Sequence, residues 1–362
     1  MGLFGNKRIK VFGLDISDSA IKAMQLVRQG NDLVPVAAAA SLLSEKVINN
    51  HIIVNEERLA QNIRRTIDLA KKIDTPYVVC SIPEAKSFVR VLTIPKMPES
   101  EIDGAVPFEL EQDIPIPIDQ VYLDWHLLRE REDKLELLVT AAPKDYIDSL
   151  LQALKLAKLI PLAMELESQA TARALIAGND LEKIVLIVDM ANSQTSFVVV
   201  DKGVIEYTSS VAVAGDAITE SIARGLGMSK SDAEQVKRAT GLASEAKESR
   251  VRASILPILD NVVDEIKNVI RFFEEHDAQH REIKDIILCG GSAHLFGVED
   301  YLAARINLTS GQSDIRLELG NPWLKINSKD PNLSSRIKNE EAFSYTTAIG
   351  LALRDIDYRL RL

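Results

Sequence analysis

The sequence contains two short segments in which an aspartate ends an apolar stretch and a polar turn follows. In the first, Asp15 closes the apolar stretch 11–15, and Lys22 stands seven residues later. A carboxylate can hold a hydrated Mg²⁺, and the backbone N–H groups of a tight turn can bind phosphate oxygens. Such a turn usually has glycine where the backbone must approach the ligand. Here Ser17 and then the acidic Asp18 occupy that point, so the segment is a modified phosphate loop or an ordinary strand and turn.

The second segment lies about 174 residues further along the chain. Residues 185–196 repeat the pattern of residues 11–22, with Asp189 in the place of Asp15 and Ala191 two residues later. A unit that occurs twice predicts a duplicated domain with a ligand between its halves, one aspartate on each side of a hydrated Mg²⁺. Two unrelated strand ends with an aspartate in a turn would give the same pattern, so the repeat alone leaves both interpretations open.

Two further segments carry groups that suit a nucleoside. The apolar stretch 285–289 runs into Gly290 and Gly291, where the lack of side chains lets a flat base or a ribose approach the backbone. Glu234 and Lys237 are three residues apart, so a helix would place both on one face, where they could flank a nucleoside. A surface ion pair would have the same spacing.

The composition is that of an acidic globular protein. The 362 residues are enough for two or more domains, and the net charge of −10 argues against broad nucleic-acid binding. No apolar run reaches the ~18 residues of a membrane span, and no signal peptide is recognisable, so a cytoplasmic protein is expected. Cys80 and Cys289 are expected to be free and buried. The basic residues Lys7, Arg8 and Lys10 are expected to form a solvated terminus, with contact to an anionic membrane as the alternative.

The elements that must position these groups follow from hydrophobic periodicity. Apolar residues at helical spacing predict an amphipathic helix within 54–74 and long helices over about 216–240 and 250–276. Five of the thirteen prolines fall within 95–117. The order strand, helix, strand, strand, helix around them predicts a small α+β module at about 86–160, inserted within a larger domain.

The order of these parts resembles the actin-like superfamily: phosphate loop, connecting helix, second phosphate loop, Glu-x-x-Lys helix, Gly-Gly turn, last helix. Within it, residues 8–355 resemble the PilM family of type IV pilus assembly. The most specific segment is "LTIPKMPESEIDGAVPFELEQDIPIPIDQVYLDW", and "VAVAGDAITESIARGLG" and "AEQVKRATG" are also similar. The division protein FtsA shares the inserted 1C subdomain but normally adds an amphipathic membrane helix after a linker. This chain ends at Leu362, soon after the last domain helix, which favours PilM.

The resemblance implies an α/β fold with two actin-like, ribonuclease H-like domains. The first domain would comprise residues 1–85 and 161–183, and the inserted 1C-type subdomain would comprise residues 86–160. The second domain would comprise residues 184–362, with a helical subdomain at about 216–285.

The resemblance also implies ATP or ADP with Mg²⁺ as the cofactor. Asp15 and Asp189 would hold the metal through water, and Glu167, near the connecting helix, is the candidate for orienting an attacking water. The implied cofactor-binding residues are Asp15, Ser17, Ser19, Lys22, Asp189, Asn192, Ser193, Thr195, Gly215, Asp216, Glu234, Lys237, Arg238, Gly290, Gly291 and Ser292.

The phosphate loops depart from the family pattern at three glycines. Ser17, Ala191 and Ala214 replace them, and a Cβ at these points crowds the approach of the backbone to phosphate. Asp18 adds a like charge, which at ~6 Å and an effective dielectric constant of ~20 costs on the order of 3 kcal/mol. Nucleotide is therefore expected to bind weakly, and at most slow hydrolysis is expected.

The implied function is that of a cytoplasmic adaptor peripheral to the inner membrane. PilM-like proteins hold the short cytoplasmic N-terminus of the inner-membrane protein PilN in a groove between the first and inserted subdomains. Phe88, Val89 and Val91 are candidates for that contact, although core packing is the simpler interpretation. Other pilus assembly proteins and a second copy of the chain are further implied partners. An FtsA-like filament protein and a sugar kinase of the same superfamily remain alternatives.

Overall fold

The computed structural model describes residues 9–44, 46–111, 114–243, 249–277, 280–309, 315–326, 337 and 342–358. Its strands are β1 (Phe12–Ile16), β2 (Ala20–Gln29), β3 (Asp32–Leu42), β4 (Ile48–Asn49), β5 (Ile52–Ile53), β6 (Tyr77–Ile82), β7 (Phe88–Pro95), β8 (Val121–Glu130), β9 (Lys134–Pro143), β10 (Ile160–Leu166), β11 (Ile184–Met190), β12 (Thr195–Asp201), β13 (Val204–Val211), β14 (Asp285–Cys289) and β15 (Arg316–Leu319). Its helices are α1 (Glu56–Ala70), α2 (Glu99–Leu110), α3 (Lys144–Leu156), α4 (Glu167–Leu175), α5 (Gly215–Leu226), α6 (Lys230–Thr240), α7 (Ser249–His276), α8 (Val298–Thr309) and α9 (Thr346–Tyr358).

Two five-stranded sheets have the same topology and define two lobes. The first has the order β10-β6-β1-β2-β3, and the second has the order β15-β14-β11-β12-β13. In each sheet the central strand has an antiparallel neighbour on one side and a parallel neighbour on the other. The central strands β1 and β11 carry Asp15 and Asp189, so the sequence repeat corresponds to a structural duplication. The prediction of a two-lobed, duplicated α/β fold is therefore confirmed.

The first lobe buries its sheet between two helical layers. Helix α1 begins at Asn55, whose side chain accepts a hydrogen bond of 2.8 Å from the N–H of Arg58. Its apolar stripe, which includes Leu59 and Ile63, packs with α3 on one face of the sheet. Helices α4 and α9 cover the other face and meet at Ala170 and Leu351.

The second lobe is covered on one face by α5 to α8, and its core includes the long helix α7. The prediction of one helix over 216–240 is wrong, because Gly227 takes a φ of +68° and ends α5. Ser229 then begins α6 by accepting a hydrogen bond from the N–H of Asp232. Cys80 and Cys289 are free and buried, as expected. None of the described helices is long and apolar enough to cross a bilayer.

The inserted module consists of the three-stranded sheet β7-β9-β8 with α2 packed against it. The predicted order of its elements is present, but α3 packs through Ile147 and Leu150 into the first lobe. Arg129 on β8 also joins the module to the second lobe. Its guanidinium forms ion pairs with Glu136 of the module at 3.0 Å and with Glu206 on β13. The module is thus held by both lobes.

Candidate functional site

The first predicted loop follows β1 and lies beside its antiparallel partner β2. The register places Asp15 directly opposite Lys22, and Nζ of Lys22 lies 3.3 Å from Oδ2 of Asp15. The hydroxyl of Ser81, at the end of β6, donates a hydrogen bond of 3.2 Å to the other carboxylate oxygen. The spacing of Asp15 and Lys22 therefore reflects hairpin register, which brings a carboxylate and an amine together where the strand ends.

The turn after Asp15 satisfies much of its own hydrogen bonding. The N–H of Ser17 donates to the carbonyl of Ala20 at 2.9 Å, and the hydroxyl of Ser17 lies 3.1 Å from the same oxygen. The carboxylate of Asp18 accepts hydrogen bonds of 3.0 and 3.2 Å from the N–H of His51. The like-charge penalty expected from Asp18 is therefore reduced, because this contact directs its charge toward the β4–β5 hairpin.

The second predicted loop is assembled from three separate parts of the second lobe. The carbonyl of Ala191 accepts hydrogen bonds from the N–H of Gly215 at 3.2 Å and from the hydroxyl of Ser292 at 3.1 Å. Asn192 donates through its side chain to Asp216 at 2.8 Å. A Cβ on Gly215 would lie 2.6 Å from the Ser292 hydroxyl, so a larger residue there would displace the Ser292 side chain. The structure thus brings these predicted residues together.

Gly290 marks the closest approach between the Gly-Gly turn and the repeat aspartate. It has a φ of +83°, and a Cβ there would lie 2.3 Å from Oδ1 of Asp189 and 2.6 Å from the carbonyl oxygen of Met190. Among the described residues, no atom lies within 4 Å of the position that a Cβ on Gly291 would take. Gly290 is therefore required by packing, whereas Gly291 leaves room for a ligand to approach the backbone.

In the Glu-x-x-Lys pair on α6, the lysine is too buried to flank a nucleoside as the sequence suggested. Lys237 is 4% exposed and donates to the carbonyl of Gly215 at 3.1 Å and to the hydroxyl of Thr219 at 2.9 Å. Partial burial of Glu234 acts to raise its pKa, but hydrogen bonds from Lys237, Thr219 and Arg238 lower that pKa to about 2. Lys237 thus anchors the second loop to α6, while the exposed Arg238 remains accessible.

The other predicted loop residues divide by burial. Ser19 and Ser193 are partly exposed at their turns. Thr195 is fully buried, and its hydroxyl donates to the carbonyl of Val213 at 2.5 Å. Thr195 therefore supports the second loop from within the core and does not reach the surface of the cleft.

Four carboxylates and one amine converge where the two lobes meet. Burial and the nearby Asp15 raise the pKa of Asp189 to about 6, although Lys22 of the other lobe acts to lower it. Burial, followed by the charges of Asp15, Asp189 and Glu84, raises the pKa of Glu167 well above its ordinary value. Asp15 and Lys22 of the first lobe thus lie near enough to Asp189 of the second lobe to influence its pKa.

Glu84 is a member of this cluster that sequence reasoning missed. Burial raises the pKa of its carboxyl group, and neither of its oxygens completes a hydrogen bond, although Ser168 and Thr208 lie near. Its position was a usable signal, because it comes two residues after β6, the parallel neighbour of β1. The carboxyl ends of adjacent parallel strands meet at one edge of a sheet, where ligands commonly bind.

The carboxyl groups of this cluster are ligands of the kind that a hydrated divalent cation takes. Asp15, Glu167, Asp189 and Glu84 supply four carboxyl groups, and Lys22 supplies one positive charge. No group of three or more histidine, cysteine, aspartate or glutamate side chains among the described residues has the geometry to ligate a metal directly. Coordination of Mg²⁺ through water by Asp15 and Asp189 therefore stays a prediction.

A separate cleft of about 720 Å³ lies between the first lobe and the inserted module. One wall is the β4–β5 hairpin, with Ile52 57% exposed, and the opposite wall comes from the module and the start of α3. Its lining residues are His51, Ile52, Ile53, Lys86, Ile116, Asp119, Gln120, Pro143, Lys144, Asp145, Tyr146 and Ser149.

The predicted partner-binding residues lie elsewhere. Phe88, Val89 and Val91 belong to β7, which pairs with β9, and all three are partly buried. Phe88 packs against the core of the module, and Val89 packs against the core of the first lobe. None of the three lines the cleft at the junction. The cleft residues escaped sequence reasoning because they come from four separate segments of the chain.

Known structures share this architecture. The chain is 26% identical to a protein of a PilM–PilN type IV pilus biogenesis complex, with a TM-score of 0.81 over 96% of this chain and 99% of that one. It matches MreB5 of Spiroplasma citri bound to ADP with 13% identity and a TM-score of 0.57, over 98% of both chains. It matches the ethanolamine utilization protein EutJ of Carboxydothermus hydrogenoformans with 14% identity and a TM-score of 0.55, over 94% and 88% of the two chains.

These matches establish the actin-like fold that the sequence predicts. The family model for the type IV pilus assembly protein PilM matches residues 13–356, which include both lobes and the inserted module. This chain therefore belongs to the PilM family of type IV pilus assembly proteins.

Proposed function

We propose that the chain is a cytoplasmic adaptor of a type IV pilus or a related secretion system. Its main activity is to hold the N-terminal cytoplasmic peptide of a PilN-like inner-membrane protein. Family membership and the match to a PilM–PilN complex support this proposal. The observation that carries it is the open, partly apolar cleft between the first lobe and the inserted module.

The chemistry of the cleft suits an extended peptide with apolar side chains. Ile52, Ile116 and Tyr146 supply apolar surface, and a volume of about 720 Å³ is large enough for several side chains. Lys144 and Asp145 lie at the first turn of α3 and offer charges of both signs. Apolar pockets would give affinity, and the charged positions would fix the register of the peptide.

We expect Ile52→Asp to weaken peptide binding about 100-fold or more. A carboxylate facing the apolar wall would be desolvated without a partner, at a cost of several kcal/mol, and each ~1.4 kcal/mol is tenfold in affinity. Leu162→Asp is the matched control, because Leu162 is 47% exposed on β10 and does not line the cleft. Fluorescence anisotropy with the labelled N-terminal peptide of the PilN-like protein measures both variants.

Two results of that titration would contradict the adaptor proposal. The first is no binding by the native chain with or without ATP, and the second is equal loss in both variants. Asp15→Ala and Lys22→Ala should leave peptide affinity unchanged, because neither residue lines the cleft. If only those two variants lost binding, the protein would be a nucleotide-gated switch.

We further propose that the cleft between the lobes binds ATP or ADP with Mg²⁺ weakly. A solved neighbour with the same fold carries ADP, which supports a nucleotide there. Lys22 and the turns at Ser17 and Ala191 would face the phosphates, and Gly291 and Arg238 would face the nucleoside. Bound Mg²⁺ would offset phosphate charge, with Asp15 and Asp189 holding its waters. Glu167, the first residue of α4, lies beside both aspartates and is the candidate for orienting an attacking water.

The triple variant Ser17→Gly, Asp18→Ser, Ala191→Gly should bind ATP at least about tenfold more tightly than the native chain. The two glycines remove Cβ atoms at the turns, and the serine removes a like charge near the phosphates. Isothermal titration calorimetry with Mg²⁺ and ATP measures the gain, and adding Lys22→Ala should cancel it. Tight binding by the native chain, or no gain in a folded triple variant, would show that these positions do not limit affinity.

A further inference from the structure

Helix α1 carries a positively charged surface on the side that faces away from the first lobe. We define this basic face by Arg58, Arg64, Arg65, Lys71 and Lys72, all of which are exposed. Helical periodicity places the three arginines on the side opposite the buried residues Leu59, Ile63 and Ala70, and Lys71 and Lys72 follow directly after the last residue of α1. Within the described part of the chain, none of the five basic side chains forms an ion pair or a hydrogen bond.

The charge of this face is opposite to that of the whole protein. Two carboxylates, Glu57 and Asp68, share the exposed surface with the five cations, which leaves a net charge of about +3. The complete chain carries −10. An anionic surface would therefore attract this face more strongly than the net charge of the whole protein suggests.

We propose that the basic face binds the surface of an anionic phospholipid membrane. The face is a single exposed helix with a shallow depression, lined by Gln61, Arg64, Arg65, Asp68, Leu69 and Lys71. A broad, shallow surface suits a lipid headgroup layer better than a peptide, which needs a groove. Arginine forks bind phosphate oxygens well, and Leu69, 52% exposed, can enter the headgroup region.

The residues just before β1 lie beside the end of α1. Lys10 forms an ion pair with Asp74, and its carbonyl accepts a hydrogen bond of 2.7 Å from the hydroxyl of Thr75. These contacts hold the beginning of β1 next to the residues that follow α1. Lys7 and Arg8 precede this point in the sequence and lie outside the described residues.

The start of α1 lies next to the proposed peptide cleft, and the relevance of this position to the membrane rests on the proposed function. At the start of α1, Glu56 accepts a hydrogen bond of 2.7 Å from Ser149, which lines the cleft. A short cytoplasmic peptide of an inner-membrane protein keeps its cleft close to the bilayer. The helix that borders the cleft would then be near the headgroups.

The test is co-sedimentation of the purified chain, without any partner peptide, with two kinds of vesicles. One contains only phosphatidylcholine, and the other contains about one third phosphatidylglycerol. We expect binding only to the anionic vesicles, and we expect it to weaken as salt is added, since screening shortens the reach of exposed charges. Because no peptide is present, failure here leaves the adaptor proposal intact.

Charge reversal tests whether the basic face is the surface that binds the vesicles. Arg64→Glu with Arg65→Glu should reduce vesicle binding at least about tenfold, because each basic residue near the surface contributes ~1 kcal/mol. Lys202→Glu with Arg224→Glu is the matched control, because it changes the net charge equally at exposed positions of the second lobe. Equal loss in both double variants, or no binding by the native chain at low salt, would overturn the proposal.

A second copy of the chain is the competing occupant. Helix α2 exposes Glu99, Glu101, Asp103 and Glu109, which form an acidic surface opposite in charge to the basic face. Sedimentation velocity over a range of protein concentrations distinguishes the two cases. Self-association that Arg64→Glu with Arg65→Glu abolishes, in a protein that ignores anionic vesicles, would assign the basic face to a neighbouring subunit and overturn the lipid proposal.

Discussion

Replacing Gly350 with alanine is expected to lower the free energy of unfolding by about 3 kcal/mol. Gly350 lies in α9, where the helix crosses α4, and a Cβ would be 1.8 Å from the carbonyl oxygen of Ala170 and 2.4 Å from its carbonyl carbon. Both atoms belong to backbone, so no side chain can rotate away. The two helices would have to separate, and this would open the core beneath the first sheet.

Gly104→Ala is the matched control for that substitution. Gly104 also lies inside a helix, α2, but no atom comes within 4 Å of the position that its Cβ would take. Alanine should stabilise the chain there by about 0.5–1 kcal/mol, since it restricts the unfolded backbone more than glycine does. Urea unfolding followed by circular dichroism measures both variants. Equal midpoints would show that α4 and α9 can move apart at little cost.

Removing the carboxylate of Glu165 is expected to destabilise the fold by about 3–5 kcal/mol, because it breaks a buried ion cluster in which one carboxylate pairs with two partly buried arginines. Glu165, at the end of β10, is 2% exposed. Its Oε2 lies 3.0 Å from Nη1 of Arg173 on α4 and 3.1 Å from Nη1 of Arg354 on α9. One carboxylate therefore compensates two guanidinium groups and joins three elements, so Glu165→Ala should affect all of them together.

The control for this prediction is an exposed ion pair of similar type. Glu130 lies 2.6 Å from Lys96, and both side chains are about half exposed. Glu130→Ala should therefore change stability by less than ~1 kcal/mol. Glu165→Gln should fall between the two alanine variants, because the amide keeps the shape and one acceptor oxygen. Thermal unfolding that ranked Glu165→Ala with Glu130→Ala would mean that the two arginines find water or other partners.

Both predictions concern the contact between α4 and α9, and this contact positions part of the candidate site. Glu167 is the first residue of α4 and lies two residues after Glu165. Its carboxyl group interacts with Asp15 and Asp189 across the cleft. A shift of α4 would therefore move Glu167 relative to the other acidic groups. Gly350 and the ion cluster at Glu165 therefore help to fix the position of Glu167.

The sequence by itself determined the features that depend on local pattern. The repeat at Asp15 and Asp189 was visible because each strand ends with the same residue types, and duplication reproduced the strand order around both. The inserted module was visible in its proline content and its order of elements. The break at Gly227 was also local, and the prediction of one helix over 216–240 gave too little weight to the glycine.

Only the tertiary structure decided which side chains reach the cleft. Asp18 contacts His51, 33 residues away, so its charge is partly compensated. Lys237 is buried by its contact with Gly215, 22 residues away, and so supports the loop. Glu84 joins the acidic cluster because β6 lies beside β1. Spacing along the chain fixes which face of a helix or strand a residue occupies. The surface that packs against that face comes from distant segments of the chain, and it determines the environment of each charged group.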